Sequence, residues 1–405
     1  MESDLKSRLT RVRGALGGGR ANARTVAALT HNPGCTRRRV IDAAGIRATE
    51  LAKRAGHEST SGQSPFAIAS GTMFEWRLKE GSDYEPLLTV LREQFGFDER
   101  EPRILDLNQG AGELGSEAWL QDRARRTDQA LGNMARGAAG APGLVDHPVL
   151  VFELAGVPMY LEPDALAFRI AGKLEVVEIK SYPVIDGQAD PSKVAATAGQ
   201  SAVYVLALRA ALERLGLDPE LVAWSVILIA PRNFSRQPTA HRIPIRKKAA
   251  AISRVLKSIP NTMEVLERLP VDFTLGPSGE GPACTSRTAE AVKRLPAVYV
   301  PECLSACDMA QFCRAEALAR DDVGRIGRPA RDALAGLEAL GEVLRLARGP
   351  GNIAVEPRAD VTLALRAAAQ ALDRARASVP AECALPAVLK PAGRGAATHK
   401  KGRGR

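Results

Sequence analysis

The chain has 405 residues, enough for one large domain with additions or for two or three ordinary ones. Its 45% hydrophobic and 25% charged content are those of a globular chain and exclude a collagenous or wholly disordered one. The net charge of +10 favours an anionic partner, of which nucleic acid is the commonest, although aromatics at 4% leave few stacking platforms for single-stranded bases.

In chain order, residues 1–30 read as helical and basic, broken at Gly17, Gly18 and Gly19. The turn His31-Asn32-Pro33-Gly34 precedes a helix expected over 36–56, and Glu58 to Ser64 is polar and loop-like. Another helix begins at Thr72 to Leu78, after Gly71. Residues 83–137 are mixed, with helical periodicity near 83–95 and 117–136, and Ala138 to Gly143 is a small-residue linker. The texture then changes. Val149–Leu154, Val157–Leu161, Ala165–Ile170 and Leu174–Ile179 are short apolar or β-branched runs separated by Gly156, Pro163 and Gly172, which reads as consecutive strands. Val194 to Leu215 is an alanine-rich helix, and Leu221 to Ala230 is a further buried strand. Strands followed by a helix and a strand imply an α/β core.

Residues 246–268 read as a helix with a basic face, and Gly276 to Pro282 as a loop. Residues 303–320 hold three cysteines running into a helix. Residues 329–347 and 358–377 have the period of amphipathic helices and form a helical hairpin packed on its own core. From Lys390 onward the chain carries Lys390, Arg394, Lys400, Lys401, Arg403 and Arg405 and no acid, the composition of a disordered basic tail. Five regions are therefore expected: 1–140, helical; 141–245, the core; 246–320, helical with the cysteine run; 321–389, the hairpin; and 390–405, the tail.

Asp164 follows Pro163 after the strand Met159-Tyr160-Leu161, and Glu178-Ile179-Lys180 ends the strand Leu174-Glu175-Val176-Val177. Residues i and i+2 of a strand share a face, so Glu178 and Lys180 project together while Ile179 turns into the core. If the strands pair as a hairpin, Asp164 approaches the same spot. A carboxylate pair suits Mg²⁺ or Mn²⁺, and a nearby lysine can orient water or offset charge developing on a phosphate. That is equipment for metal-assisted phosphodiester hydrolysis. Without their context the same residues are only charges on a solvated strand face. Gln200 and Tyr204 share a face of the following helix at i, i+4.

Cys303, Cys307 and Cys313 form a compact run, and Cys35 lies far upstream in Gly34-Cys35-Thr36-Arg37-Arg38-Arg39. Together they can make a four-thiolate site. Zinc sites more often show two Cys-x-x-Cys pairs, and the one-plus-three split fits a 4Fe–4S cluster at least as well. Arg37, Arg38 and Arg39 read either as phosphate contacts or as a solvated helix start. Cys284 and Cys383 have no partner in this scheme. His31, His57, His147, His241 and His399 show no ligand spacing and read as surface or satisfied residues. No phosphate-binding motif of an ATP-driven motor is present.

Pro163-Asp164, Glu178-Ile179-Lys180 and Gln200-Ser201-Ala202-Val203-Tyr204 resemble the PD-(D/E)XK nuclease superfamily in its RecB-like branch. The resemblance covers residues 35–313 in patches. It implies a restriction-endonuclease-like central mixed sheet flanked by helices, with mostly helical N- and C-terminal additions. It implies a metal-dependent deoxyribonuclease of exonuclease type, acting on single strands or ends of DNA. Asp164, Glu178 and the Ile179 carbonyl would hold the metal, Lys180 would assist attack, and Gln200 and Tyr204 would face the site and the DNA. Members carry an upstream Gly-x-x-x-His helix. This chain has Gly71-Thr72-Met73-Phe74-Glu75, so Glu75 stands in the histidine's place as a candidate metal ligand. CRISPR-associated RecB-like and AddB-type exonucleases also flank their core with one upstream and three downstream cysteines. That implies an iron–sulfur clasp at Cys35, Cys303, Cys307 and Cys313, with zinc as the alternative. Here Thr36 replaces the usual proline and the first downstream gap is three rather than two. Implied settings are DNA repair, recombination, CRISPR adaptation or phage defence, with a helicase or another nucleic-acid-processing protein as partner. The competing reading is a zinc-clasped or catalytically inactive nucleic-acid-binding scaffold. No stretch approaches the roughly 18 apolar residues of a membrane span, and the N-terminus is charged, so a cytoplasmic protein without a membrane partner is expected.

Overall fold

The computed structural model describes residues 2–18, 22–57, 65–97, 101–108, 113–233, 235, 237–259, 261–300, 303–349 and 358–378. The Glu58–Ser64 stretch, Cys383, His399 and the basic tail lie outside them. Two compact units are present, Met1–Ala317 and Leu318–Arg405. The first two expected regions, and the third as far as Ala317, fall within the first unit.

The first unit opens with α1 (Glu2–Arg13), α2 (Ala23–His31), α3 (Thr36–Ala43) and α4 (Ala48–Arg54). The single helix expected over 36–56 is thus two, because the chain turns at Ala44–Arg47 to bury both Ile41 and Leu51 in one core. Then come α5 (Pro65–Leu78), α6 (Glu85–Phe95), β1 (Ile104–Asp106) and α7 (Glu117–Ala135). The strand-rich segment supplies β2 (Leu144–Asp146), β3 (Leu150–Leu154), β4 (Val157–Leu161), β5 (Ala165–Ile170) and β6 (Lys173–Ile179). After it follow α8 (Pro191–Arg214), β7 (Val222–Pro231), β8 (Pro238–Pro244) and α9 (Arg246–Lys257).

The central sheet is mixed, in the order β1-β2-β5-β6-β7-β8. β1 runs parallel to β2 and β6 parallel to β7, while the other neighbours are antiparallel. β3 and β4 were expected beside the other strands, but they pair only with each other as a separate hairpin. Asp164 therefore opens β5 rather than ending a strand of the same sheet. The β3–β4 and β5–β6 turns each use an alanine–glycine pair at positive φ, Ala155-Gly156 and Ala171-Gly172. Two positive φ values match the right-handed twist of the flanking strands, and glycine takes the second without a Cβ penalty.

Alternation along β6 divides the core into two layers. Leu174 and Val176 face α8, packing in one cluster with Val203, Tyr204 and Ala207. Val177 and Ile179 face the other way, onto Leu87, Leu88 and Leu91 of α6. β6 and β7 are buried along nearly their whole length, as expected where helices cover both faces. α8 is long and apolar enough to cross a membrane by length and composition alone. Its apolarity is used here to cover the sheet, where Ala202, Val203, Val205, Ala207 and Leu208 are fully buried.

Glu175 is a polar exception on β6. It is buried beside Ser225 and 3.1 Å from Arg242. Burial pushes its carboxyl up to about 7, against the opposing pull of Arg242 and the Ser225 hydroxyl. The folded state therefore keeps its proton to higher pH than the unfolded state does. Stability is lost as pH rises from about 4.5, the ordinary glutamate value, to about 7. Glu175→Gln removes that loss. We expect it to raise unfolding free energy at pH 8 by on the order of 2–3 kcal/mol and to change little at pH 4.5, as read by urea denaturation at the two pH values.

The unit closes with α10 (Thr262–Leu266), α11 (Pro282–Lys293), α12 (Cys303–Ala306) and α13 (Ala310–Arg320). The helix expected over 246–268 breaks after α9, where Asn261 caps α10 by accepting from the Met263 N–H. In the second unit, α14 (Arg328–Ala333), α15 (Leu340–Arg348) and α16 (Ala359–Ala377) follow a short 3₁₀ turn at Val323–Ile326. The periodic stretch 329–347 is thus broken between α14 and α15. Val323, Leu334, Leu337, Leu340 and Leu346 form its buried apolar residues, and Arg366 of α16 donates to the Leu346 carbonyl.

Candidate functional site

Asp164, Glu178 and Lys180 come together where β5 begins and β6 ends. The antiparallel register sets Ala165 opposite Val177, so Asp164 lies across from the end of β6. Asp164 Oδ2 accepts the Ile179 N–H at 2.6 Å and lies 3.7 Å from Lys180 Nζ. Lys180 Nζ donates to Glu178 Oε2 at 2.6 Å. Glu178 is fully buried, and its Oε1 has no hydrogen-bond partner. Burial first, and then the Asp164 charge, push its carboxyl well above the ordinary range against the pull of Lys180. Burial works against the Lys180 ammonium, but Glu178 and Asp164 outweigh it and hold its pKa above the ordinary value. The parallel neighbour β7 fixes this end of β6, because the Lys180 N–H donates to the Ile229 carbonyl. The arrangement is two converging carboxylates, one with a bare oxygen, and a cation held against both.

Gln200 and Tyr204 on α8 reach this region indirectly. Gln200 donates to the Tyr204 hydroxyl at 3.1 Å, and that hydroxyl donates to the Glu162 carbonyl at 2.8 Å. Burial, together with the charges of Glu178 and Asp164, keeps the Tyr204 phenol well above its ordinary pKa and hence neutral. The pair pins the chain two residues before Asp164. Arg123 of α7 holds the same segment from another side. Its fully buried guanidinium pairs with the Glu162 carboxylate at 2.9 Å, donates to the His147 carbonyl at 2.6 Å and stacks on Trp119.

Glu75 feels the Glu178 charge, but its carboxylate is taken by Lys79, 2.7 Å away. Lys79 is buried and also pairs with Asp146 at 2.6 Å and donates to the Asp164 carbonyl at 3.0 Å. Tyr84 donates to the other Asp146 oxygen at 2.7 Å. His147, which reads in the sequence as a surface or satisfied histidine, lies in this cluster. Its ring is 3.2 Å from Asp146, 3.6 Å from Glu75 and 3.8 Å from Asp106, and its φ is +48°. Burial disfavours the imidazolium, but the contact with Asp146 outweighs it and raises the His147 pKa. Asp106, Asp146 and His147 are the one group of three such ligand atoms within 4.8 Å of one another among the described residues. Sequence reasoning passes over Lys79, Asp146 and His147. The one local signal is the i, i+4 spacing of Glu75 and Lys79, which is common on solvated helices.

The cysteines come together at a second place. Cys35 interacts electrostatically with Cys303 and Cys313, and Cys307 with the same two, which closes a ring of four thiols. Burial pushes the Cys313 thiol up to about 12 against the pull of Arg37, so its thiolate needs a bound cation to form readily. No three of these sulfurs lie within 4.8 Å of one another. Thiolates around one tetrahedral zinc, with Zn–S of about 2.3 Å, would lie about 3.8 Å apart. Arg37 and Arg39 are buried, with exposures of 1% and 6%, so neither is a surface phosphate contact or a solvated helix start. Cys284 is buried elsewhere, near Arg54 and the Pro277 carbonyl.

Compared with known protein families and with curated proteins, the chain matches none.

Proposed function

We propose that this protein is a Mg²⁺- or Mn²⁺-dependent DNA nuclease of the PD-(D/E)XK type, RecB-like and acting as an exonuclease. In this reading the mixed sheet with helices on both faces is a restriction-endonuclease-like core, and Cys35, Cys303, Cys307 and Cys313 hold a 4Fe–4S cluster. The observation that carries it is the buried Glu178, converging with Asp164 on Lys180 and keeping one oxygen unpartnered. Two carboxylates, one of them fully buried, share the single charge of Lys180, so a divalent ion fits this donor set.

Asp164, Glu178 and the Ile179 carbonyl are the groups that would hold the ion. When bound, it supplies Lewis acidity toward a phosphodiester oxygen and neutralises charge developing there. Lys180 stays protonated beside both carboxylates, where it orients the attacking water and offsets charge on the phosphate. Tyr204, Gln200 and Arg123 act one step back, by fixing the segment that carries Glu162 and Asp164. Lys79 ties Glu75 and Asp146 to the Asp164 backbone and keeps that wall of the site in place.

Labelled single- and double-stranded DNA is expected to be shortened by the purified protein with Mg²⁺ and left intact with a chelator. Intact DNA in both cases, with folded protein, overturns the nuclease reading in favour of a binding scaffold without catalysis. The thiolate site is tested separately by iron and acid-labile sulfide content after anaerobic purification. Colourless protein with stoichiometric zinc replaces the cluster with a zinc clasp.

A further inference from the structure

The three consecutive arginines after Cys35 turn inward, and two of them end on cysteine sulfurs. Arg37 Nη1 donates to Cys313 Sγ at 3.0 Å. Its other nitrogens donate to the Val292 and Leu295 carbonyls and to Glu316 Oε2, the last at 2.8 Å, so the guanidinium has no freedom to turn away. Its face lies over Phe312, 5.2 Å from the ring centre. Arg38 hydrogen-bonds Cys307 and is anchored by Asp42 at 2.6 Å. Asn32 Nδ2 points at Cys303 Sγ from 3.6 Å, a weaker and neutral contact. Cys35 is hydrogen-bonded by backbone groups, of Arg38 and Val298, and feels the charges of Arg37 and Arg39 without a side-chain bond from either. Among the described residues, Cys313 and Cys307 therefore meet a charged side-chain donor, while the hydrogen bonds to Cys35 and Cys303 come from neutral groups.

We propose that Arg37 and Arg38 are positioning residues that tune the thiolate site as a one-electron redox centre, raising its reduction potential through their bonds to Cys313 and Cys307. This rests on the cluster reading of the four cysteines. A cluster held by Cys35, Cys303, Cys307 and Cys313 would accept one electron from a one-electron donor such as a reduced flavin, and the four-thiolate assembly would become more negative by one charge. No bond to the protein forms or breaks. Rigid cationic donors on the sulfurs stabilise the more negative state in a low-dielectric interior, so they favour reduction. A clasp needing only mechanical strength would be served by the four covalent ligands alone. Anchoring by Glu316 and Asp42 keeps both guanidiniums aimed in either redox state.

The test is a dithionite titration of the anaerobically purified full-length protein, followed by electron paramagnetic resonance. It compares wild type with Arg38→Gln and Arg37→Lys, with iron and sulfide measured in each. Arg38→Gln removes the charged donor at a side chain that is only partly buried. Arg37→Lys keeps a charge for Glu316 but cannot span the carboxylate, the carbonyls and the sulfur together. Both variants are expected to hold iron and to shift the midpoint to more negative potential, by about a tenfold change in the reduced-to-oxidised ratio, which is about 59 mV for one electron. Arg38→Lys should recover most of the wild-type midpoint. An unchanged midpoint in iron-replete Arg38→Gln and Arg37→Lys overturns the tuning role while leaving the cluster in place. Wild-type protein without iron or sulfide overturns the cluster reading itself, and the tuning role with it.

Discussion

Replacing Glu178 with alanine should abolish metal-dependent cleavage while leaving the protein folded and at least as stable as wild type. The two halves of that result come from one fact. Glu178 is a fully buried carboxylate with an unpartnered oxygen, beside the like charge of Asp164. Without a metal ion it is a cost to the fold, because burial and Asp164 oppose its ionisation more than Lys180 favours it. Its removal relieves that cost, and Lys180 keeps Asp164 as a partner at 3.7 Å. With a cation the same carboxylate is half of the side-chain donor set, so its loss should lower the cleavage rate at least about a thousandfold, equivalent to about 4 kcal/mol in the barrier. Cleavage assays and thermal unfolding on one preparation check both parts. A Glu178→Ala protein that cuts DNA at the wild-type rate would falsify the site assignment. One that loses both activity and fold would show Glu178 to be structural.

Arg123→Met should produce the opposite pairing, a large loss of stability together with a loss of activity. The Arg123 guanidinium touches both the His147 carbonyl and the Glu162 carboxylate, and it lies 4.2 Å over the Trp119 ring. Methionine keeps the apolar packing but leaves the His147 carbonyl without that donor and removes one of the ties on the Glu162 segment. The expected cost is about 2–4 kcal/mol, seen as a fall in melting temperature of about 3–6 °C. Cleavage should fall even well below the new melting temperature, since Asp164 sits two residues beyond Glu162. Full activity at low temperature would show that the Arg123 network supports the fold alone.

Much of the core was legible because burial writes itself into a strand as a run of apolar residues. β5, β6, β7 and α8 could be placed from such runs, and with them the meeting of Asp164, Glu178 and Lys180. β1 and β2 were not legible, since three residues are too few to show a period and β2 follows directly on what reads as a linker. β8 carries Thr239, His241 and Arg242 between two prolines, a composition that reads as loop and is tolerated on an edge strand. Lys79 and His147 were missed for a different reason. A buried lysine and a clustered histidine are defined by partners far away in sequence, as Lys79 is by Asp146. Arg37 and Arg38 looked like surface charge until their cysteine partners came into view.

The pairing of Arg37 with Cys313 spans 276 residues, and this sets a timetable for the growing chain. At about 5–20 residues per second, roughly 14–55 s of synthesis separate the two. Throughout that interval α3 presents Cys35 and a buried-type guanidinium to solvent, with the Val292 and Leu295 carbonyls also unmade. The helices at the start of the chain therefore cannot finish folding when they emerge. They wait, thiol exposed, for the segment that will cover them, and a ribosome stalled before Cys313 would hold an N-terminal segment that is open to oxidation.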